Sequence, residues 1–334
     1  MAINVNKVYK SVLSILNKEQ RGYLTPYEFN NLARQAQLEL LDSLFYQYNQ
    51  FLNVENINRT NEGYADLAEK IQEQIDEHYK SSSLTPAASK VTLPSDVYRI
   101  LDVTMRDYSR KVEKIDKARL PFLKSSPLTK PSSTFPDYYQ DAADVTIEPT
   151  TTENVSINYI AKPSDPRFGY TTNAQYGTEI YDANPFVDGG IILGTRDIGI
   201  VSTNVTNLEA GTFSRSSGGA TFSIVVEDLA TDANQTVSSV SVTAAGSGFE
   251  VGDTIDLTIP DNSSNDQTIT LTLRAQDLYA TTNQGSTDFT LHKSQETNLI
   301  LSILGYAGLI IKDPSIVQGV TQLATADAMN KRQQ

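Results

Sequence analysis

A chain of 334 residues, 39% hydrophobic and 20% charged, is long enough for about two domains at ~150 residues each and too apolar to be disordered. Forty Asp and Glu against 27 Lys and Arg leave a net charge of −13, a field that repels phosphate and argues against ordinary nucleic-acid binding. With no Cys and two His, His78 and His292, disulfides, thiolate zinc sites and cysteine catalysis are excluded, and most imidazole chemistry goes with them. The composition is that of a building block more than an enzyme.

The first segment, Met1-Ala2-Ile3-Asn4-Val5-Asn6-Lys7, has no uninterrupted apolar stretch of the signal-peptide kind. The longest apolar run, Leu299 to Ile311, is short of the ~20 residues that span a bilayer, so a soluble chain with no membrane partner is expected. Residues 1–90 read as helical. Val5, Val8, Val12 and Ile15/Leu16 gather on one helix face, and Arg21-Gly22-Tyr23 breaks it. Thr25-Pro26-Tyr27-Glu28 is a helix start, with Thr25 and Glu28 able to form a capping box and Pro26 placed where no amide is needed. The helix it opens carries Phe29, Leu32/Ala33, Ala36, Leu40, Leu44 and Tyr48 in one stripe. A third amphipathic segment, Gly63 to Tyr79, repeats the pattern with Leu67, Ile71 and Ile75. These three predict a bundle or helical layer.

A Ser-rich linker, Lys80 to Lys90, leads into a β-rich core region at residues 91–187. Tyr98 to Met105 and Val155 to Ile160 read as strands, the second alternating strictly. Prolines 121, 127, 131 and 136 between them predict extended connections rather than another helix. Residues 188–286 then read as an inserted all-β domain, with twelve Asp and Glu against three Arg. Its runs Phe222 to Glu227, Val237 to Thr243, Thr254 to Ile259 and Thr268 to Leu273 are split by turn signals such as Ser217-Gly218-Gly219 and Gly246-Ser247-Gly248. Residues 287–334 return to helix, with Leu299/Ile300, Ile303/Leu304, Ala307 and Ile310/Ile311 on a broad apolar face and Gly305 and Gly308 permitting close approach. Asp313-Pro314 breaks that helix, and a weaker one and a flexible tail follow. The fold class is therefore α+β: an N-terminal helical layer or bundle, a β-rich middle, C-terminal helices that complete the core, and an inserted small sandwich-like all-β domain.

Chemistry-bearing patterns are sparse. Gly246-Ser-Gly-Phe-Glu-Val-Gly252 lacks the helix that a phosphate loop requires and reads as turn glycines. Asp253, Asp256, Asp261 and Asp266 have the oxygen donors for calcium but not an EF-hand spacing, and the plainer reading is a solvated acidic surface. His292 reads as a capping or surface residue, because no nucleophile motif accompanies it, and His78 as a dipole partner at the end of an acidic helix. No catalytic, cofactor-binding or metal residue is assigned and no cofactor is implied. The one basic stretch, Arg99 to Lys130, holds nine basic residues against four acidic. Within it Arg106, Arg110, Lys111, Lys114, Lys117 and Arg119 form a candidate interface, against the plainer readings of a solvated hairpin or salt bridges to acidic neighbours.

Several stretches together carry a resemblance. They are Asn6-Lys-Val-Tyr9 with Leu16 to Ala33, Val112-Glu-Lys-Ile115, Leu128 to Pro136, Val145-Thr-Ile-Glu-Pro149, Val155 to Pro166, Asp288 to Thr297 and Ala307 to Gln318. They resemble neck structural proteins of podovirus-type tailed phages, especially crAss-like phages, across roughly residues 1–187 and 287–334. Val240 to Ile255 resembles instead a small β-module that recurs in phage virion proteins. The resemblance implies a non-enzymatic head-to-tail connector. Copies would close into a ring, commonly dodecameric in such proteins, between the portal protein and neighbouring ring or tail proteins. The ring would surround DNA that passes through without sequence-specific binding. It implies a virion neck or tail location, with assembly in the host cytoplasm. The insertion departs from the compact family pattern and could contact tail fibres. Two other classes stay open: an adhesin or decoration protein that recognises a host surface or fibre through the insertion, and a virion-borne hydrolase, for which no converging acid and base are found.

Overall fold

The computed structural model describes residues 2–18, 23–53, 67–87, 89–105, 110–173, 175–196, 199–200, 208–209, 211–226, 237–260, 266–311, 318–323 and 325. The fold is mixed α+β and the chain divides into two compact units. Residues 1–3, 35–164 and 289–301 make the first, and residues 4–34, 165–288 and 302–334 the second.

Seven strands form the sheet of the first unit: β1 (Tyr79–Leu84), β2 (Lys90–Thr92), β3 (Val97–Met105), β4 (Arg110–Lys114), β5 (Asp137–Asp141), β6 (Asp144–Glu148) and β7 (Val155–Ala161). Their order is β1-β7-β3-β4-β5-β6-β2. The sheet curls, because Val91 on the edge strand β2 shares one core with Val103, Val112, Ile147 and Ile157. Pairing is antiparallel except between β4 and β5, which run parallel with Glu113 opposite Asp137 and Lys114 opposite Tyr138. A parallel pair cannot be joined by a tight turn, so the chain must cross over between them.

The strict alternation expected of β7 is present, but both of its faces are covered. Val155, Ile157 and Tyr159 enter the sheet core. On the opposite face Ile160 packs with Leu44 of α2 (Pro26–Asn53) and with Ile71 and Ile75 of α3 (Leu67–Asp76). The polar residues between them are buried and partnered: Asn158 donates to Asp102 at 2.8 Å, and the Ser156 carbonyl accepts from the Thr104 hydroxyl at 3.3 Å. Gln37 is also buried. Its amide nitrogen donates to the Ser164 carbonyl at 2.8 Å and its oxygen accepts from the Thr290 amide at 3.1 Å.

In the second unit, α1 (Val5–Lys18) buries Val5, Val8, Val12 and Leu16, whereas Ile15 is 44% exposed and lies off the stripe. Its first turn is satisfied by Asn4, which accepts from the Lys7 amide, and by Asp288, which accepts from the Val5 amide at 2.9 Å. The capping box at the start of α2 forms as the spacing predicts. Glu28 accepts from the Thr25 amide at 3.0 Å and Thr25 accepts from the Glu28 amide at 3.3 Å. The Tyr9 ring lies 4.9 Å from Phe29 and 4.3 Å from Phe168, and its hydroxyl donates to the Leu24 carbonyl. A small ribbon, β8 (Tyr170–Thr172) with β9 (Glu179–Tyr181), follows.

The remaining strands build a two-sheet sandwich. One sheet has the order β10 (Gly194–Arg196), β14 (Val237–Ala245), β13 (Ala220–Val226), β12 (Gly211–Ser217). The other runs β11 (Gly199–Ile200), β16 (Asp266–Thr272), β15 (Thr254–Pro260). Phe222, Ile224 and Val240 from the first sheet meet Ile255, Leu257 and Leu271 from the second in one core. Burial alternates along β13 and β15, as in strands with one wet face. Gly218 and Gly219, with φ of +57° and +79°, form the two-residue turn between β12 and β13. The segments leading in and out of the sandwich run together, with the Tyr279 amide donating to the Gly190 carbonyl at 3.0 Å and the Phe186 amide to the Ser286 carbonyl at 3.0 Å. Farther down the chain, α5 (Glu296–Ile311) buries Leu299, Ile303, Leu304 and Ala307. A Cβ on Gly305 would meet the Val320 side chain at 3.4 Å, an ordinary van der Waals contact. No helix among the described residues is long and apolar enough to cross a membrane.

Four local expectations need correction or placement. Helix α3 ends at Asp76, and the chain enters β1 at Tyr79. The Ser-rich stretch is that strand rather than a linker: β1 pairs with β7 from Tyr79↔Ile160 to Leu84↔Val155, so backbone bonds hold it and small polar side chains suffice at an exposed edge. A helix, α4 (Leu120–Ser125), does form among the prolines, because Pro121 sits in its first turn where a missing N–H costs nothing. The Asp313-Pro314 break and the C-terminal tail lie outside the described residues.

Candidate interaction surface

The crossover from β4 to β5 is where charge and exposed apolar surface meet. On β4 only Val112 is buried, and Lys111, Glu113 and Lys114 face outward. Asp116 then accepts from the Ala118 amide at 3.0 Å and caps a 3-10 turn, Lys117–Arg119, which runs into α4. None of the α4 residues is buried. Past α4, Ser132 and Phe135 close a turn through the Ser132 amide to the Phe135 carbonyl at 3.1 Å. The crossover is pinned at its root by the Glu113 amide donating to the Pro136 carbonyl at 3.1 Å and the Ile115 amide to the Tyr138 carbonyl at 2.8 Å.

The result is a concavity of about 960 Å³ with Phe122, Leu128 and Phe135 in its wall and Lys114, Arg119 and Lys130 among its lining. Phe122 and Phe135 are each 77% exposed and Leu128 is 97% exposed. Three large apolar side chains on one short segment make a patch of the kind that marks a contact surface. Glu113, Asp116 and Asp137 also line the concavity. Burial, reinforced by the neighbouring Glu113 charge, raises the Asp137 carboxyl above its ordinary range.

The six predicted interface residues divide. Arg110 is half-buried and held by Glu153 at 2.7 Å and by the Ser133 carbonyl, so it braces the fold. Lys117 pairs with Asp141 at 2.8 Å and lies 5.7 Å from the Tyr139 ring centre. That hydrogen bond raises the lysine above its ordinary value and lowers the aspartate. Lys111, Lys114 and Arg119 are exposed and have no ion pair among the described residues. Arg106 lies outside the described residues. Salt bridges to acidic neighbours therefore account for Arg110 and Lys117, and also for Lys124, which binds Glu148 at 2.6 Å. Lys114, Arg119 and Lys130 remain as the cations of the concavity.

Elsewhere the titratable groups serve the fold. Asp253 accepts from the Glu250 amide at 2.9 Å, Asp256 accepts from the Thr270 hydroxyl at 2.6 Å, and Asp261 lies outside the described residues. No group of three or more metal-ligating side chains gathers among the described residues. Gly246, Gly248 and Gly252 have positive φ between β14 and β15, the turn role expected of them. His292 caps, accepting from the Ser294 amide at 3.3 Å. His78 departs from expectation. It is buried, burial lowers its pKa from 6.5, and its Nε2 has no hydrogen-bond partner among the described residues, so it is a core residue whose neutral form burial favours rather than a charged dipole partner.

Sequence reasoning found the charges of this surface and missed its apolar wall. The signal was present in Leu120 to Pro136, where Phe122, Leu128 and Phe135 follow neither a two-residue nor a 3.6-residue period that would direct them to a core. No protein-family model matches the chain, and no curated protein matches it.

Proposed function

We propose that this chain is a non-enzymatic structural protein of a phage virion, many copies of which close into a ring in the neck between portal and tail, around the DNA conduit. The observation that carries this reading is the crossover surface, where Phe122, Leu128 and Phe135 stand in solvent beside cations that have no ion pair among the described residues. An isolated monomer gains nothing by exposing such a patch, whereas a subunit that docks on a neighbour buries it. A contact between two different faces, repeated by rotation, closes a ring. The net charge of −13 suits a conduit wall, because DNA slides past a surface that does not neutralise its phosphates. The resemblance of residues 1–187 and 287–334 to phage neck proteins supplies the assembly, and with it the virion location and the host cytoplasm as the place of assembly.

The test is the light-scattering mass of the purified protein, alone and mixed with the portal protein of the same genome. A discrete high-mass complex is expected in at least the mixture. A monomer in both samples would overturn the reading.

A further inference from the structure

The crossover concavity exposes apolar and basic side chains, and the chain itself carries an exposed apolar and acidic turn. Between β14 and β15, residues 250–253 are four exposed residues in succession, and Val251 at their tip is 54% exposed between Glu250 and Asp253. The turn is held from several sides. The Phe249 amide donates to the Gly189 carbonyl at 2.8 Å, the Gly252 amide to the Leu273 carbonyl at 2.8 Å, and Asp253 clasps the Glu250 amide at 2.9 Å. Gly252, with φ of +98°, supplies the backbone shape. Such a pre-organised knob loses little freedom on docking.

We propose that the crossover concavity of one copy receives the Glu250–Asp253 turn of a second copy. Val251 meets Phe122, Leu128 and Phe135, while Glu250 and Asp253 face Lys114 and Arg119. This docking rests on the ring reading above and gives it a contact. The regional charges agree with it: nine basic residues against four acidic between Arg99 and Lys130, and twelve acidic against three basic between Asp188 and Ser286. Opposite signs on two segments of one chain favour basic-to-acidic contact between copies and oppose contact of like with like. Because the two faces differ, the contact is heterologous, the type that generates rings. Glu113, Asp116 and Asp137 in the same concavity would repel nucleic-acid phosphates as they would Glu250 and Asp253, so what favours the turn over nucleic acid is the apolar contact of Val251 with Phe122, Leu128 and Phe135.

A charge-exchange experiment on the full chain tests this, with the portal protein present if assembly requires it. One variant carries Lys114→Glu and Arg119→Glu; the other carries Glu250→Lys and keeps Val251 and the capping Asp253. Thermal melts matching the parent establish that both are folded. Each variant alone is expected to need about tenfold more protein to assemble, or to stay monomeric, and an equimolar mixture is expected to regain assembly. Normal assembly of either variant alone, or no recovery in the mixture, overturns the docking and leaves the ring reading standing. A parent chain that stays monomeric even with portal overturns both. Binding of a short DNA duplex by the parent, lost in the Lys114/Arg119 variant while assembly is unchanged, overturns the docking in favour of nucleic acid.

Discussion

The sheet of the first unit and the sandwich of the second use seven strands each and bury them by different means. In the sheet, β7 is buried at every residue, with Ile157 in the curled core and Ile160 against Leu44, Ile71 and Ile75 of the helices. In the sandwich, β13 and β15 alternate between a dry and a wetter face, and Phe222, Ile224, Leu257 and Leu271 make a core drawn from its own strands and the residues leading to them. Both mix near and distant pairings: the sheet joins β1 and β3 to β7 as well as β5 to β6, and the sandwich joins β10 to β14 and β11 to β16 as well as β12 to β13 and β15 to β16. A module whose core comes from its own strands and their flanks carries its stability within itself, whereas the sheet depends also on the helices packed on its second face.

Core truncation is the strongest way to break this contrast. Phe222→Ala should cost about 3–5 kcal/mol and Ile157→Ala about 2–5 kcal/mol. Hydrogen exchange should quicken in the sandwich strands alone for the first and across sheet and helices for the second. Equal spread of the Phe222 effect into β3 and β7 would show that the sandwich is not self-contained. Gln37→Leu, which strands the Ser164 carbonyl and the Thr290 amide, should cost about 1–3 kcal/mol by urea unfolding, with the loss in the first unit. Acid should act there as well. His78 is held neutral by burial, so the unfolded chain binds the proton more readily and stability falls as pH drops below about 6.5. His78→Phe should flatten that slope in a pH series of melts, and an unchanged slope would remove the assignment. The smallest effect belongs to the surface pair Lys124–Glu148, where Lys124→Ala should cost about 0.2–1 kcal/mol and fade in high salt.

What could be read from sequence was whatever is decided locally. Thr25, Pro26 and Glu28 declare a helix start because all the partners lie within one turn, and Gly218-Gly219 declares a hairpin because the φ values it needs belong to glycine. The serines of β1 declare nothing, since their strand exists through backbone bonds to β7, far along the chain. Asp288 capping α1 is equally invisible. At the candidate surface, the basic residues are legible as charges. Only the parallel placement of β5 beside β4, with Asp141 at its end, turns Lys117 into a paired residue and leaves Lys114 and Arg119 without an ion pair among the described residues. The apolar wall is missed for a related reason: its signal, the lack of any core-directing period at Phe122, Leu128 and Phe135, is a negative one that reads equally well as an ordinary loop.

The pinned root of the crossover bears on how such a protein could diversify. Two backbone bonds, from Glu113 to Pro136 and from Ile115 to Tyr138, fix where the segment leaves and rejoins the sheet, and they are indifferent to side-chain identity. The α4 helix lends nothing to the core. Apart from the buried Pro131 and the ion-paired Lys117 and Lys124, residues 117–135 can therefore accumulate substitutions while the sheet beneath keeps its stability. Partner choice at this surface can be rewritten under selection independently of folding.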